Sequence, residues 1–238
     1  MSGNCAYENP EMTRLLGETL RPGGFELTDK GIRYCNWSSE HRLLDLGCGQ
    51  GATVRYLNDK WGLSARGIDP SHKLIKIARK KGHDEEFKIG KGESIPFDDE
   101  SFDGVISECT LSLMDDLNQT LGEVFRVLKD GGYFFMTDVY ARKPEMLDQL
   151  KNDPVKSCMR GLYALAGLKY QLKKRGFQVM MTEDHSEMLK QLLVKAVFEY
   201  GSMDAFWKKT TGSCVSNFQE ALIKCKPGYY IMIARKEK

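Results

Sequence analysis

The stretch HRLLDLGCGQG, residues 41–51, decides the fold of this 238-residue chain. An apolar run of strand type leads into three closely spaced glycines, and a helical pattern from Ala52 to Leu57 follows. A tight turn between a strand and a helix lets backbone N–H groups approach a ligand closely. The stretch therefore predicts a ligand site at the end of a buried strand.

Strand-like and helix-like segments alternate from this turn to about residue 139. Strands are predicted at 42–46, 65–68, 86–89, 102–107 and 133–137, and helices at 71–81 and 117–128. Nearly continuous apolar strands that alternate with helices favour a parallel sheet covered on both faces. Right-handed crossovers bring the carboxyl ends of such strands to one edge, where ligands bind.

The remaining segments extend this core. Asp130-Gly131-Gly132 is predicted to end the helix at 117–128, and another helix is predicted over 143–174. Strands follow at 178–181 and 228–234, with helical spacing between them.

The predicted fold is a single α/β domain over residues 1–238, with a doubly wound, mostly parallel, seven-stranded sheet. Residues 41–183 and 226–238 form its Rossmann-like core, 1–40 a helical N-terminal cap, and 184–225 a helical insert between the last two strands. Two placements of the cap and insert stay open. They fold over the ligand edge, or they pack at the periphery of the sheet.

Composition narrows the class of partner. The chain has 35 basic and 33 acidic residues and a net charge of +2, which gives no reason to expect nucleic acid or an anionic membrane. No apolar run reaches bilayer length and no signal-peptide pattern begins the sequence, so a cytoplasmic protein is expected. The seven cysteines form no CxxC pair; free thiols and no metal site are expected.

Two carboxylates mark the predicted ligand edge. Asp45 precedes the first glycine of the turn by two residues, so it would repel a pyrophosphate and suit a ligand with a positive group or hydroxyls. Asp69 ends the second predicted strand, where a carboxylate can accept hydrogen bonds from a ribose diol. Gly47, Gly49 and Ala52 also fit the permissive dinucleotide fingerprint, so a nicotinamide oxidoreductase stays open as a second hypothesis. That hypothesis lacks a visible Tyr-x-x-x-Lys pair.

Three further motifs follow the glycine turn in order: GID at 67–69, ESIPFDDESFD at 93–103 and RVLKDGG at 126–132. With these motifs, residues 41–140 resemble the class I, Rossmann-like, S-adenosylmethionine-dependent methyltransferases of the ubiquinone/menaquinone small-molecule type. The resemblance implies S-adenosyl-L-methionine as methyl donor. It does not fix the acceptor, which varies freely on this fold.

The resemblance also implies roles for individual residues. Asp45 and the backbone at 47–51 would hold the methionine part of the donor, Asp69 the ribose, and Pro70 with 92–93 the adenine. Lys91 stands where the family often has an acid. The implied donor-binding residues are Asp45, Gly47, Cys48, Gly49, Gly51, Asp69, Pro70, Gly92, Glu93, Ser107 and Glu108.

Candidate catalytic residues follow the fourth and fifth predicted strands. Glu108 could act as a base or hold a cationic acceptor. Asp138 or Tyr140 could orient the acceptor, and Arg142 would point to the same edge. His185 begins the insert as a further candidate base, unless residues 183–186 only cap a helix.

The sequence thus predicts in-line methyl transfer to a small-molecule acceptor bound under a helical cap. Two narrower hypotheses stay open beside it. One is a thiol or metalloid acceptor that uses Cys109 with Cys158 or Cys214, since several cysteines beside this core resemble the arsenite methyltransferases; Cys109 is otherwise a small buried residue. The second is a protein that binds S-adenosylmethionine without turnover. The pattern does not fix an oligomeric state.

Overall fold

Seven strands form one mixed sheet in the order β3-β2-β1-β4-β5-β7-β6, in a computed structural model that describes residues 6–82, 84–150, 157–211 and 216–237. Strands β1 to β5 are parallel, and β7 runs antiparallel to both of its neighbours. The strands are β1 Arg42–Leu46, β2 Ser64–Asp69, β3 Phe87–Ile89, β4 Phe102–Glu108, β5 Leu128–Ala141, β6 Phe177–Asp184 and β7 Pro227–Lys236.

Helices cover both faces of the sheet. They are α1 Pro10–Leu16, α2 Glu26–Cys35, α3 Ala52–Trp61, α4 His72–Lys81, α5 Leu117–Val127, α6 Leu165–Lys174, α7 Ser186–Tyr200, α8 Met203–Thr211 and α9 Ser216–Cys225. The predicted α/β class, the seven-stranded sheet and the helical insert between the last two strands are confirmed. Across the described ranges, no helix combines the length and apolarity that a membrane crossing requires.

The alternating apolar pattern of the strands builds a core on each face. Leu43 and Phe135 belong to the cluster beneath α2, α3, α4 and the insert helices, whereas Leu44 and Phe134 belong to the cluster beneath α5 and α6. All four side chains are fully buried. Consecutive strand residues face opposite sides of a sheet, so continuous apolar runs such as 43–44 and 134–135 are what a doubly covered sheet requires.

The predicted helix end at Asp130-Gly131-Gly132 is wrong. Helix α5 ends at Val127, and β5 starts at Leu128, which pairs with Phe102 of β4. Strand β5 also runs beyond the predicted residue 137, to Ala141, because the antiparallel ladder with β7 continues to that residue. The glycines therefore lie inside a strand, where Gly131 takes a positive φ of 76°.

The continuous helix predicted over 143–174 is also wrong. Residues Pro144–Gln149 form a 3-10 helix, 157–161 form a turn, and only Leu165–Lys174 is α-helical. At Gly161 the chain presses against the loop after β4, since a Cβ there would lie 1.6 Å from the carbonyl oxygen of Ser112. Helical periodicity in the sequence could not reveal this tertiary contact.

Candidate active site

A cavity of about 620 Å³ lies at the carboxyl edge of β1, β2 and β4. The edge that the sequence predicts as a ligand site supplies its floor, through 45–50, 69–71 and 108–115. The N-terminal segment supplies another wall, through residues 7–8 and 18–21. The volume falls in the range of sites that enclose a cofactor-sized molecule.

The glycine turn at 47–51 is hydrogen-bonded to the end of β2. The backbone N–H groups of Gly47 and Cys48 both donate to the carbonyl of Ile68, at 2.8 and 2.9 Å. Gly47 has a positive φ of 79°, and a Cβ at this position would lie 2.3 Å from Cγ2 of Thr110. Only glycine allows both the conformation and the close approach of the loop after β4.

Gly49 contacts a residue of the predicted ligand site, whereas Gly51 serves the packing of a helix. The N–H of Gly49 donates to Oδ2 of Asp69 at 3.0 Å, which joins the turn to the second predicted site element. Gly51 lies outside the cavity lining and starts α3 with a positive φ of 75°. A Cβ there would lie 2.6 Å from the ring of Phe87, so Gly51 serves the packing of α3.

Asp69 lies at the end of β2, as predicted, and lines the cavity with Pro70. Its Oδ1 accepts from the backbone N–H of Ser71 at 2.8 Å. Burial raises the pKa of this carboxyl, whereas the backbone donors of Ser71 and Gly49 oppose that shift. Each carboxylate oxygen has one protein donor and keeps acceptor capacity for a ligand.

Asp45 places a buried carboxyl in the cavity wall, at the end of β1. Burial and then the nearby charge of Glu108 raise its pKa to about 8, although Arg21 acts in the opposite direction. A cationic group bound beside it would favour the ionised form.

Glu108, at the end of β4, forms the one ion pair in which both side chains are nearly inaccessible among the described residues. Its Oε2 lies 2.8 Å from Nη2 of Arg21, and the two side chains are 2% and 4% exposed. Thr28 completes the cluster, since its hydroxyl donates to Oε1 of Glu108 at 2.9 Å and accepts from Arg21 at 2.8 Å. The N-terminal segment thus reaches into the predicted site.

Sequence reasoning missed Arg21. No motif surrounds it, and its partner Glu108 belongs to a strand far along the chain. Arg21 also donates to Oγ1 of Thr53 in the first turn of α3 at 2.9 Å, so it links three separate elements.

The adenine-side residues line the cavity as predicted, through Lys91, Gly92 and Glu93. Oε1 of Glu93 accepts from the backbone N–H groups of Asp115 and Asp116, at 2.9 and 3.2 Å. This carboxylate therefore ties the loop after β3 to the loop after β4.

Ser107 lies behind the cavity wall. It is fully buried, and its Oγ shares a hydrogen bond of 2.5 Å with Oγ1 of Thr110. Thr110 in turn donates to the carbonyl of Leu46 at 2.9 Å. Ser107 thus contacts the residue that packs against Gly47 and does not itself line the cavity.

Asp138 and Tyr140 are not brought to the cavity, and the expectation that they and Arg142 share the ligand edge is wrong. Asp138 and Tyr140 lie within β5, because that strand continues past its predicted end. Asp138 is fully buried and accepts from the N–H and Oγ of Ser112, at 2.8 and 2.7 Å. Tyr140 donates to Oδ2 of Asp184 at 2.6 Å.

Arg142 and His185 also lie away from the cavity lining. Arg142 donates to the carbonyl of Lys226 at 3.3 Å. Nε2 of His185 lies 3.2 Å from Oε2 of Glu183, and Asp184 accepts from the backbone N–H of Ser186 at the start of α7. The N-cap residue of α7 is His185, which makes no side-chain capping bond, so the predicted cap is wrong; Asp184, one residue earlier, accepts from the first N–H of the helix instead.

The cavity wall carries more acid than base. Three cationic residues line it among the described ranges, namely Arg21, Lys91 and Arg160. Seven acidic residues line it, namely Glu8, Glu18, Asp45, Asp69, Glu93, Glu108 and Asp115. A lining of this kind favours a ligand with positive charge. Over the same ranges, no group of three or more His, Cys, Asp or Glu side chains is arranged to hold a metal ion.

Residues 44–136 match the family model described as "Methyltransferase domain". These residues therefore form a methyltransferase domain, and the strand order of the sheet around it is that of the class I fold. S-adenosyl-L-methionine is the methyl donor of this class, and a structurally similar enzyme, phosphoethanolamine N-methyltransferase 2 of Haemonchus contortus, is solved in complex with it. That structure has a TM-score of 0.74 and 20% identity, and covers 98% of this chain and 56% of its own.

Two curated relatives extend the comparison of the domain. Phosphoethanolamine N-methyltransferase 1 of Arabidopsis thaliana is 25% identical over 240 residues, which cover 92% of this chain and 48% of the relative. Arsenite methyltransferase of Mus musculus is 32% identical over 154 residues, 57% of this chain and 41% of the relative. The chain spans about half the length of the curated relatives it matches.

The same fold also occurs in a protein with another named activity. The [4+2]-cyclase SpnF matches with a TM-score of 0.67 and 22% identity over 100% of this chain and 98% of its own. The fold of the domain therefore does not by itself fix the reaction, which depends on the side chains of the site.

Proposed function

We propose that this protein transfers a methyl group from S-adenosyl-L-methionine to a small-molecule acceptor bound beneath the N-terminal segment and the insert. One observation carries the proposal: a single cavity joins the glycine turn, the carboxylate of Asp69 and a marked excess of acidic residues. The donor is cationic at its sulfonium and amino groups, so this lining suits it, whereas an acidic lining would oppose a pyrophosphate.

The donor-binding roles follow from the positions of the residues. We assign the methionine part to Asp45 and to the backbone at Gly47, Cys48 and Gly49, all of which line the cavity. Asp45 suits the amino group of the donor, because its raised pKa leaves it protonated until a cation arrives to replace the proton.

The remaining donor contacts are assigned along the same edge. Asp69 accepts from the ribose hydroxyls through its remaining lone pairs, and Pro70, Gly92 and Glu93 lie against the adenine. Gly51 and Ser107 act indirectly, through the start of α3 and through Thr110.

The bound donor supplies a methyl group that is already activated for displacement. The protein aligns the acceptor with it and excludes water. Glu108 is the proposed catalytic residue, since its carboxyl lines the cavity and burial raises its pKa, which lets it hold a proton. Asp138 is reassigned as a positioning residue for the loop at Ser112, and Tyr140 as a contact of the insert through Asp184.

The direct test is titration of S-adenosylhomocysteine into the protein by calorimetry. Replacement of Asp69 by Asn should weaken binding well over about tenfold, because charge-assisted hydrogen bonds to the ribose are lost. Asp103→Asn is a matched control, since Asp103 also accepts from a backbone N–H, that of Arg42 at 2.9 Å, but lies outside the cavity lining. No binding to the unmodified protein would contradict the proposal.

Turnover is tested separately, with labelled donor and a panel of small acceptors. Appearance of a labelled product supports methyl transfer. Tight binding of S-adenosylhomocysteine together with no product from any acceptor class would instead favour a protein that binds the donor without turnover.

A thiol or metalloid acceptor is less well supported. Cys109 lines the cavity but Cys158 does not, and burial raises the pKa of Cys158 to about 12 and the pKa of Cys109 well above its ordinary value. Soft metalloids bind thiolates, and these thiols stay protonated. Cys214, the third cysteine of this hypothesis, lies outside the described residues. Cys109→Ser should therefore keep activity, and complete loss of turnover with intact donor binding would revive the thiol hypothesis.

A further inference from the structure

A second, smaller cavity of about 50 Å³ adjoins the large one. We call it the annex. Tyr7, Leu20, Cys109 and Ser157 line both spaces, so the annex opens from the part of the large cavity that is nearest to Glu108 and its neighbour Cys109. This position lies beside the end of β4, away from Asp69 and the adenine side.

The annex is built by the N-terminal segment and the insert together. Helix α1 contributes Met12 and Leu15, helix α7 contributes Leu189 and Ala196, and α8 contributes Trp207. All of these side chains are buried. The N-terminal segment and the insert, for which a cap and a peripheral position were both open, therefore meet around this space.

None of the described residues that line the annex is charged. A charged group that entered it would lose its hydration and gain no counter-charge, which is unfavourable. The phosphate of an acceptor such as phosphoethanolamine is therefore unsuited to the annex, although enzymes named for that acceptor share the fold of the domain.

Two polar atoms of the lining residues, Oγ of Ser157 and Nε1 of Trp207, have no hydrogen-bond partner among the described residues, but protein atoms cover both, so neither faces the annex. Trp207 packs between two rings, with Phe206 5.0 Å and Phe218 5.5 Å away between centroids. The surface that a ligand would meet in the annex is therefore almost wholly apolar.

We propose that the annex binds the apolar end of a neutral acceptor. The proposal rests on the proposed methyl transfer, because the other end of the acceptor must lie in the large cavity beside the donor. The acceptor class is thus an uncharged compound with a short apolar group, such as an alkylphenol, and not a phosphate ester.

The test uses calorimetry with protein saturated by S-adenosylhomocysteine and three probes. 4-Ethylphenol carries a short apolar group, phenol lacks it, and phosphoethanolamine carries the charge. We expect 4-ethylphenol to bind about tenfold more tightly than phenol, as burial of its two further carbon atoms implies, and phosphoethanolamine not to bind.

Two variants separate the annex from general damage. Ala196→Leu fills the annex; it should weaken 4-ethylphenol to about the affinity of phenol and leave S-adenosylhomocysteine binding unchanged. Val194→Leu is the matched control, because Val194 lies on the same helix but is 58% exposed and outside the lining, and it should keep the tenfold preference.

Three results would overturn the annex proposal: binding of phosphoethanolamine as tight as that of 4-ethylphenol, no preference for 4-ethylphenol over phenol, or an unchanged preference in Ala196→Leu. Failure of S-adenosylhomocysteine to bind would instead contradict the proposed function. In that case, the same comparison of probes on the protein without S-adenosylhomocysteine still tests the annex proposal.

Discussion

The edge of the sheet and the annex beside it are built in opposite ways. At the edge, backbone turns and carboxylates follow consecutive parallel strands, and the acidic lining selects charge. In the annex, side chains from helices far apart in the chain enclose a small uncharged space. Under the proposed function, the donor is recognised at the edge and the acceptor in the annex, with Glu108 between the two.

The largest expected effect tests whether the N-terminal segment belongs to the edge. Glu108→Gln leaves Arg21 buried without its counter-charge, so we expect the free energy of unfolding to fall by about 3–5 kcal/mol. Urea denaturation measures this change. Glu183→Gln, which breaks the half-exposed pair with Lys30, is the matched control and should cost at most about 1 kcal/mol. Equal losses of stability in the two variants would mean that Arg21 and Glu108 do not form a buried ion pair.

The next effect tests whether the edge depends on backbone shape. Gly47→Ala imposes a Cβ 2.3 Å from Cγ2 of Thr110 at a positive φ, and we expect S-adenosylhomocysteine to bind about a hundredfold more weakly or not at all. Gly62→Ala shares the strain, with a φ of 63°, but has open space around it. It should cost about 1 kcal/mol of stability and leave binding intact. Normal binding by Gly47→Ala would remove the glycine turn from the donor site.

A third prediction concerns the protonation of the edge. The pKa of Asp45 is about 8 in the folded protein, against about 3.9 in an unfolded chain. Between these values the folded state holds a proton that the unfolded state has released, so stability falls as pH rises from about 4 to about 8. Asp45→Asn should lose less stability than the unmodified protein between pH 5 and pH 8, as thermal unfolding without ligand will measure.

An identical pH dependence in the two proteins would place Asp45 in a solvated environment. Asp138, whose pKa burial raises to about 6, contributes with the same sign in both proteins, so the comparison isolates Asp45.

The edge could be predicted from the sequence because each of its parts is local. The turn at 47–51 follows β1, and Asp69 and Glu108 are the last residues of β2 and β4; parallel topology brings such strand ends together. The error at Asp138 and Tyr140 has the same origin. An antiparallel partner extended β5, and a partner strand leaves no local signal in the sequence it lengthens.

The annex and Arg21 could not be predicted in this way. Met12, Ala196 and Trp207 read as ordinary apolar residues of amphipathic helices, and their meeting depends on how α1, α7 and α8 pack. Arg21 reads as an ordinary surface cation until Glu108 and Thr28 surround it. Tertiary contacts between distant segments determine these features, whereas periodicity and spacing report only neighbours in the chain.

The position of β7 has a consequence for how the molecule assembles. Strand β6 hydrogen-bonds to the sheet only through β7, which enters between β5 and β6 after the whole insert has been made. During synthesis β6 therefore emerges before the strand that it needs, and its unpaired edges stay exposed until residues 227–236 leave the ribosome. The last strand then docks β6 and the flanking insert together, so the walls of the annex come into register in one late step.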